Sequence, residues 1–275
     1  MNMPPPTRTE PLQAVRGVHL QYSAARLTRL FLTVAAALWI VHILLHLAAV
    51  ATGIDRLEVY VFDLGAEHNL PTLYSTVALM VVAGLLFVTA RHSKTDRGYW
   101  WVLGLAFVFL ACDETLSLHE KLVPPLTARF HTSGVFHYAW VIPYGIASLV
   151  FGLAFLRFLL RLPRKTACLF VIGGAVFVMG AIGMEMVGGA LVEHGNAEHW
   201  SYWAEQTVEE VLEMTGVLVF LFGLGDYLDS HLGGLTIRLG SEAEAPSDTR
   251  APATEEPSLA QPPAMARPRR PDVAS

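Results

Sequence analysis

Leu30–Ala51 reads LFLTVAAALWIVHILLHLAAVA, twenty-two residues without one Asp, Glu, Lys or Arg. At a rise of about 1.5 Å per residue this helix is about 33 Å long, enough to cross a hydrocarbon core of about 30 Å. Pro71–Ala90 and Ala167–Leu191 are equally apolar, and Phe136–Leu160 qualifies with an internal Pro143 that predicts a kink. Two further segments are too short alone. Trp100–Cys112 must continue through Asp113-Glu114-Thr115-Leu116-Ser117-Leu118-His119-Glu120, and Val211–Gly225 must extend back through Glu205-Gln206-Thr207-Val208-Glu209-Glu210. The expected fold is an all-α integral membrane bundle of six transmembrane helices, at about 30–51, 71–90, 99–120, 136–160, 167–191 and 202–228. A short N-terminal segment (1–26) precedes this 27–230 domain, and an Ala-, Pro-, Glu- and Ser-rich tail (231–275) follows, too polar to bury a core and read as disordered.

Composition agrees with the spans. Of 275 residues, 53% are hydrophobic and 16% charged, with a mean hydropathy of +0.44; soluble domains carry about 25% charged residues. A disordered chain, a basic nucleic-acid-binding protein and a disulfide scaffold are excluded; the two cysteines, Cys112 and Cys168, both lie in apolar runs. Sixteen of the 19 Lys and Arg residues flank alternate loops: before the first helix, between the second and third, between the fourth and fifth, and after the sixth. The positive-inside rule then places both termini in the cytoplasm. Ala49-Val50-Ala51 resembles a signal-peptidase site, but the apolar run exceeds a signal core, so the first helix is read as uncleaved.

With that orientation fourteen acids fall at the outer end, against only Arg56, Lys121 and Arg129, so this face attracts cations. On a continuous helix at about 100° per residue, Asp113, Ser117 and Glu120 lie within about 60° of one another, with Glu114 beside them. Glu205, Glu209 and Glu213 form a stripe on the sixth helix flanked by Glu210; His42 and His46 share a face of the first; Glu185 is the fifth helix's lone acid, on a face with Gly174, Ala181, Gly188 and Gly189. An unpaired charge near the bilayer centre costs about 2.5–3.5 kcal/mol, and carboxylates around one cavity cannot all ionise without counter-charge. Protonation, water or a metal ion would answer this, and carboxylates with imidazoles suit zinc or iron.

Each residue also has a plainer use. His42 and His46 serve equally as interhelical hydrogen-bond donors, Glu205, Glu209, Glu210 and Glu213 as a solvated helix start, and His119, about 100° from Glu120, as an interfacial histidine. Neither Glu-x-x-His nor His-Glu-x-x-His occurs, nor a phosphate loop or nucleophile elbow, and no internal repeat suggests an inverted-repeat transporter.

The stretches Asp113–Glu120 and Glu209-Glu210-Val211-Leu212-Glu213-Met214-Thr215-Gly216, with Glu67-His68-Asn69-Leu70-Pro71, resemble a family of uncharacterised bacterial multi-pass proteins sometimes labelled multidrug transporters. The resemblance covers about residues 27–230 and implies a bacterial inner-membrane protein, with no activity to carry over. A looser likeness to alkaline ceramidase-like membrane hydrolases lacks their motif order and seven-helix plan. The expectation is a metal-dependent membrane enzyme, a hydrolase or an oxidase, acting on a lipid or other apolar substrate at the outer leaflet. Divalent metal, zinc or iron, would be held by Asp113, Glu120, Glu185, Glu209 and Glu213 with His42 and His46; Glu114, Ser117 and His119 form the candidate catalytic set. A proton- or cation-coupled transporter and a metal- or pH-sensing protein remain alternatives.

Overall fold

A computed structural model describes residues 18–21, 24–53, 59–197, 199–231 and 236–239. The expected disordered tail, apart from His231 and 236–239, lies outside these residues, as do Asp55, Arg56, Glu58 and Glu198. The helices belong to one compact unit, His19–Leu239; a second, Met1–Val18 with Gly240–Ser275, falls outside the described residues save Val18.

Among the described residues the chain forms α1 (Ala24–Thr52), α2 (Leu70–His92), α3 (Arg97–Leu116), α4 (Leu118–Phe130), α5 (Val141–Arg161), α6 (Arg164–Glu193) and α7 (Trp200–His231). All but α4 are long and apolar enough to cross a membrane, six spans in all, and the chain is built as a multi-pass membrane protein. Leu149, Leu153, Leu156 and Leu160 stand exposed along α5, a surface that lipid covers without cost and water does not. A short pairing of Val18–Gln21 with Thr236–Leu239 is the only sheet among the described residues.

Helix α7 is the hub, packed against α1, α2 and α6, while α2 and α3 form a second tight pair. The α6–α7 seam is made possible by glycine: a Cβ on Gly216 would stand 2.6 Å from the Phe177 nitrogen and 2.7 Å from the Gly173 oxygen. Small residues permit such backbone approach in membranes, where van der Waals packing replaces the hydrophobic effect between helices. Leu86, Trp100, Phe158, Leu221 and Leu224 are fully buried at the end that carries Arg97, Arg161 and Lys165. That basic end is tied by Arg161–Asp96 and Lys165–Asp226 ion pairs, both 2.5 Å.

Two expectations are corrected. The third span stops at Leu116 instead of running through Glu120, because Ser117 adopts φ 47°, ψ 52° and starts a new helix, α4. The fourth span begins at Val141, not at 136, and Pro143 falls in its first turn. There its missing N–H has no intrahelical partner to lose, so a kink has no cause.

Candidate functional site

The break at Ser117 builds the first part of the site. Asp113, in the last turn of α3, is buried, and its side chain competes with the helix for backbone donors. Oδ1 accepts the His119 N–H at 3.0 Å and the Tyr144 hydroxyl at 2.9 Å; Oδ2 accepts from His119 Nδ1 at 2.8 Å. A carboxylate can only accept, so Nδ1 carries the proton and Nε2 is the nitrogen left for a ligand. Burial disfavours a charged His119, but Asp113, Glu185 and Glu67 outweigh it and raise its pKa above the ordinary imidazole value. Trp140 buttresses the ring at a centroid distance of 4.7 Å, and its Nε1–H donates to Glu185 Oε1 at 3.2 Å.

The second part comes from the loop 59–69. Asn69 caps α2 by accepting from Thr72 N at 3.2 Å, and its amide donates to Asp63 O at 2.6 Å and Tyr60 O at 3.0 Å. Tyr60 donates to the Glu67 carbonyl, and Leu64 N–H to His42 Nδ1 at 3.1 Å. Tied this way, the loop turns Glu67 inward, where Ser117 Oγ donates to Glu67 Oε2. Burial and the Glu120 carboxylate raise the Glu67 pKa. Glu67, His119 and Glu120 each present a ligand atom, all within 4.8 Å of one another.

The third part is helical. The turn Met179–Met184 of α6 is π-helical, and Gly180 within it lies so close to α7 that a Cβ would be 2.9 Å from Glu209 O and 3.0 Å from Glu213 N. Such π-turns concentrate at functional sites. They shift the register of side chains beyond them, here starting at Glu185, which follows directly. Gln206, Glu209, Glu210 and Glu213, at helical spacing, form the facing wall.

These parts enclose a cavity of about 160 Å³, many times the roughly 10–15 Å³ that admits one water. Its lining holds Glu67, Asp113, Glu114, Glu120, Glu185, Glu209, Glu210, Glu213 and His119, and no lysine or arginine. The structure thus brings together seven of the expected residues, Asp113, Glu114, His119, Glu120, Glu185, Glu209 and Glu213, and sets Ser117 on Glu67. His42 and His46 are elsewhere. His42 Nδ1 accepts from Leu64 and Nε2 meets Thr207 Oγ1 at 3.0 Å; because Thr207 already donates to Trp203 O, Nε2 is the donor and both ring nitrogens are engaged. His46 stacks on Trp203 at 3.9 Å. Glu205 is buried against Gly188, outside the cavity lining. Sequence reasoning missed Glu67, Trp140 and Tyr144 as site residues; the signal for Glu67 was the Asn-Leu-Pro helix start that follows it two residues later.

A family model described as a domain of unknown function (DUF8692) matches residues 21–228. No curated protein and no solved structure matches the chain.

Proposed function

Because the chain belongs to this family, whose description names no activity, the site is the premise, and we propose that the protein is a metal-dependent membrane enzyme acting on a lipid or other apolar substrate at the outer leaflet. The observation that carries this is the Asp113–His119 pair, which engages Nδ1 and leaves Nε2 for a ligand, on a ring that presents a nitrogen within 4.8 Å of Glu67 and Glu120 carboxylate oxygens. Metal-binding histidines characteristically donate their second nitrogen to a carboxylate, which sets tautomer and basicity. Two carboxylates and an imidazole suit zinc or iron. Such an ion, when bound, supplies Lewis acidity toward a water or a substrate oxygen, or redox chemistry if iron.

The chain's own groups fit the rest of the task. Asp113 holds the His119 tautomer, Trp140 keeps the ring from rotating, and Ser117 orients Glu67. Glu114, Glu185, Glu209, Glu210 and Glu213 are placed to take up or return protons, since a cavity of this size accommodates water between them. The site lies at the end of the bundle opposite the basic loops, which by the positive-inside rule faces outward, with both termini cytoplasmic in a bacterial inner membrane.

Ion or proton transport is the weaker reading. Leu79, Leu110 and Phe177 floor the cavity, and beneath them the fully buried Leu86, Trp100, Leu221 and Leu224 offer no polar steps toward the basic end. An intramembrane charge pathway needs such steps. Elemental analysis of the detergent-purified protein tests the proposal: zinc, iron or manganese at about one ion or more per chain is expected, lost in Glu67→Gln and His119→Ala. Wild-type protein that takes up none of these metals on addition would overturn it.

A further inference from the structure

Helix α5 joins the core at its basic end, where Phe158 stacks on Tyr99 at 5.1 Å and meets Trp100 edge-on at 4.9 Å. Further along it parts from α3 and α6 and leaves an apolar groove of about 740 Å³. The groove wall on α5 runs from Tyr144 to Leu159, about 23 Å at 1.5 Å per residue, somewhat more than the roughly 15 Å of one leaflet's hydrocarbon.

Of the five glycines that line the groove, Gly145 and Gly152 on α5 and Gly174 on α6 face open space: a Cβ built on any of these three meets nothing within 4 Å. They contrast with Gly173 and Gly216, where helix backbones leave no room for a Cβ. Glycine inside a helix costs about 0.5–1 kcal/mol relative to alanine. Neither helix contact nor a positive φ requires it at these three positions, and a side chain on any of them would narrow the groove.

The groove also leads somewhere. Leu110, Tyr144, Ser148, Phe177 and Val178 line both it and the acidic cavity. Tyr144 stands at the junction, its ring toward the groove lining and its hydroxyl on Asp113. Charge selects the head group. Eight carboxylates and no Lys or Arg line the cavity, so a phosphate or carboxylate head is repelled, whereas a hydroxyl, amine or amide donates hydrogen bonds to them.

We infer that the groove between α3, α5 and α6 is a lateral entrance from the bilayer that seats the single hydrocarbon chain of a long-chain alcohol, amine or amide, with its uncharged or cationic head in the acidic cavity beyond Tyr144. This rests on the enzyme reading and names its substrate class.

The test uses the full chain in phosphatidylcholine nanodiscs and a long-chain alcohol carrying a diazirine near its chain terminus. After irradiation, labelled peptides are mapped by mass spectrometry, with and without added zinc. Labels are expected on α5 and α6 residues of the groove, competed by a long-chain amine and not by an alkyl phosphate. Gly152→Leu and Gly174→Leu, whose added Cβ atoms meet no protein, should cut labelling at least about tenfold while melting temperature and metal content hold. Labelling spread evenly over the lipid-facing Leu153, Leu156 and Leu160, or unmoved in both variants, overturns the inference; so does equal competition by the phosphate. Should either leucine variant fail to fold, the wild-type map and competition decide alone. Groove labelling in protein that binds no metal supports the entrance while refuting the metal; bound metal without groove labelling does the reverse.

Discussion

Asp113→Asn separates a tuned ligand from an incidental hydrogen bond. Oδ1 accepts from His119 N–H and from Tyr144, and asparagine's oxygen can keep both, so the α3–α4 break should survive. Oδ2, which accepts from His119 Nδ1 at 2.8 Å, becomes an NH₂ donor. The imidazole must then either lose that bond or move its proton to Nε2, the nitrogen needed for ligation. Loss of such a supporting carboxylate costs about 10–100-fold in metal affinity, or about 1.4–2.7 kcal/mol. Cobalt titration followed by visible absorption reads the change directly. Tyr144→Phe is the control: it removes one bond to Asp113 but leaves the Asp113–His119 contact, and affinity should fall less than about threefold, under about 0.7 kcal/mol. An Asp113→Asn protein that stays folded and binds cobalt within about twofold of wild type would refute the assignment of His119 Nε2 as ligand.

Three further outcomes follow from the geometry. Metal and proton compete for His119, whose pKa is raised, so metal affinity should climb with pH through a window displaced above the ordinary imidazole value of about 6.5. The metal-free protein should behave oppositely, losing stability as pH rises through the folded His119 pKa; Glu67, also raised, adds the same sign because ionising it costs more in the cavity than in the unfolded chain. Denaturant melts across pH, with and without zinc, check both slopes. His42→Ala should cost about 1–3 kcal/mol by stranding the Leu64 N–H and removing the bond that Thr207 Oγ1 accepts, and should loosen the 59–69 loop in hydrogen exchange, yet leave metal bound more tightly than in Glu67→Gln. Gly216→Val should destabilise by about 1–3 kcal/mol or more through the α6–α7 seam, whereas Gly145→Ala, with open space around its Cβ, should leave the melting temperature unchanged.

The number of spans, their approximate limits and the depth of the acids were legible from sequence because each depends on local composition. A run such as Leu30–Ala51 has no better place than a bilayer, and Glu209 and Glu213 share a helical face wherever that helix sits. Even the convergence of Asp113, Glu114, Glu120, Glu185, Glu209 and Glu213 followed from their common depth at the acidic end. What helical periodicity could not supply was the break at Ser117. It arises because one side chain, Asp113, outcompetes a carbonyl for the His119 amide, and it turns His119 from an outlying residue into the centre of the site.

The histidine pair shows the complementary limit. His42 and His46 sit at the right spacing and depth for ligands, and only the packing of the 59–69 loop and α7 around them reveals that His42 is spent on Leu64 and Thr207. The same loop delivers Glu67, an acid outside every span. Sequence thus determined which side chains reach the acidic end, since hydropathy and helical pitch act within one segment. Which of them face each other, and which nitrogen is free, only the tertiary structure decided, because hydrogen-bond partners are chosen between segments that the chain brings together after the helices exist.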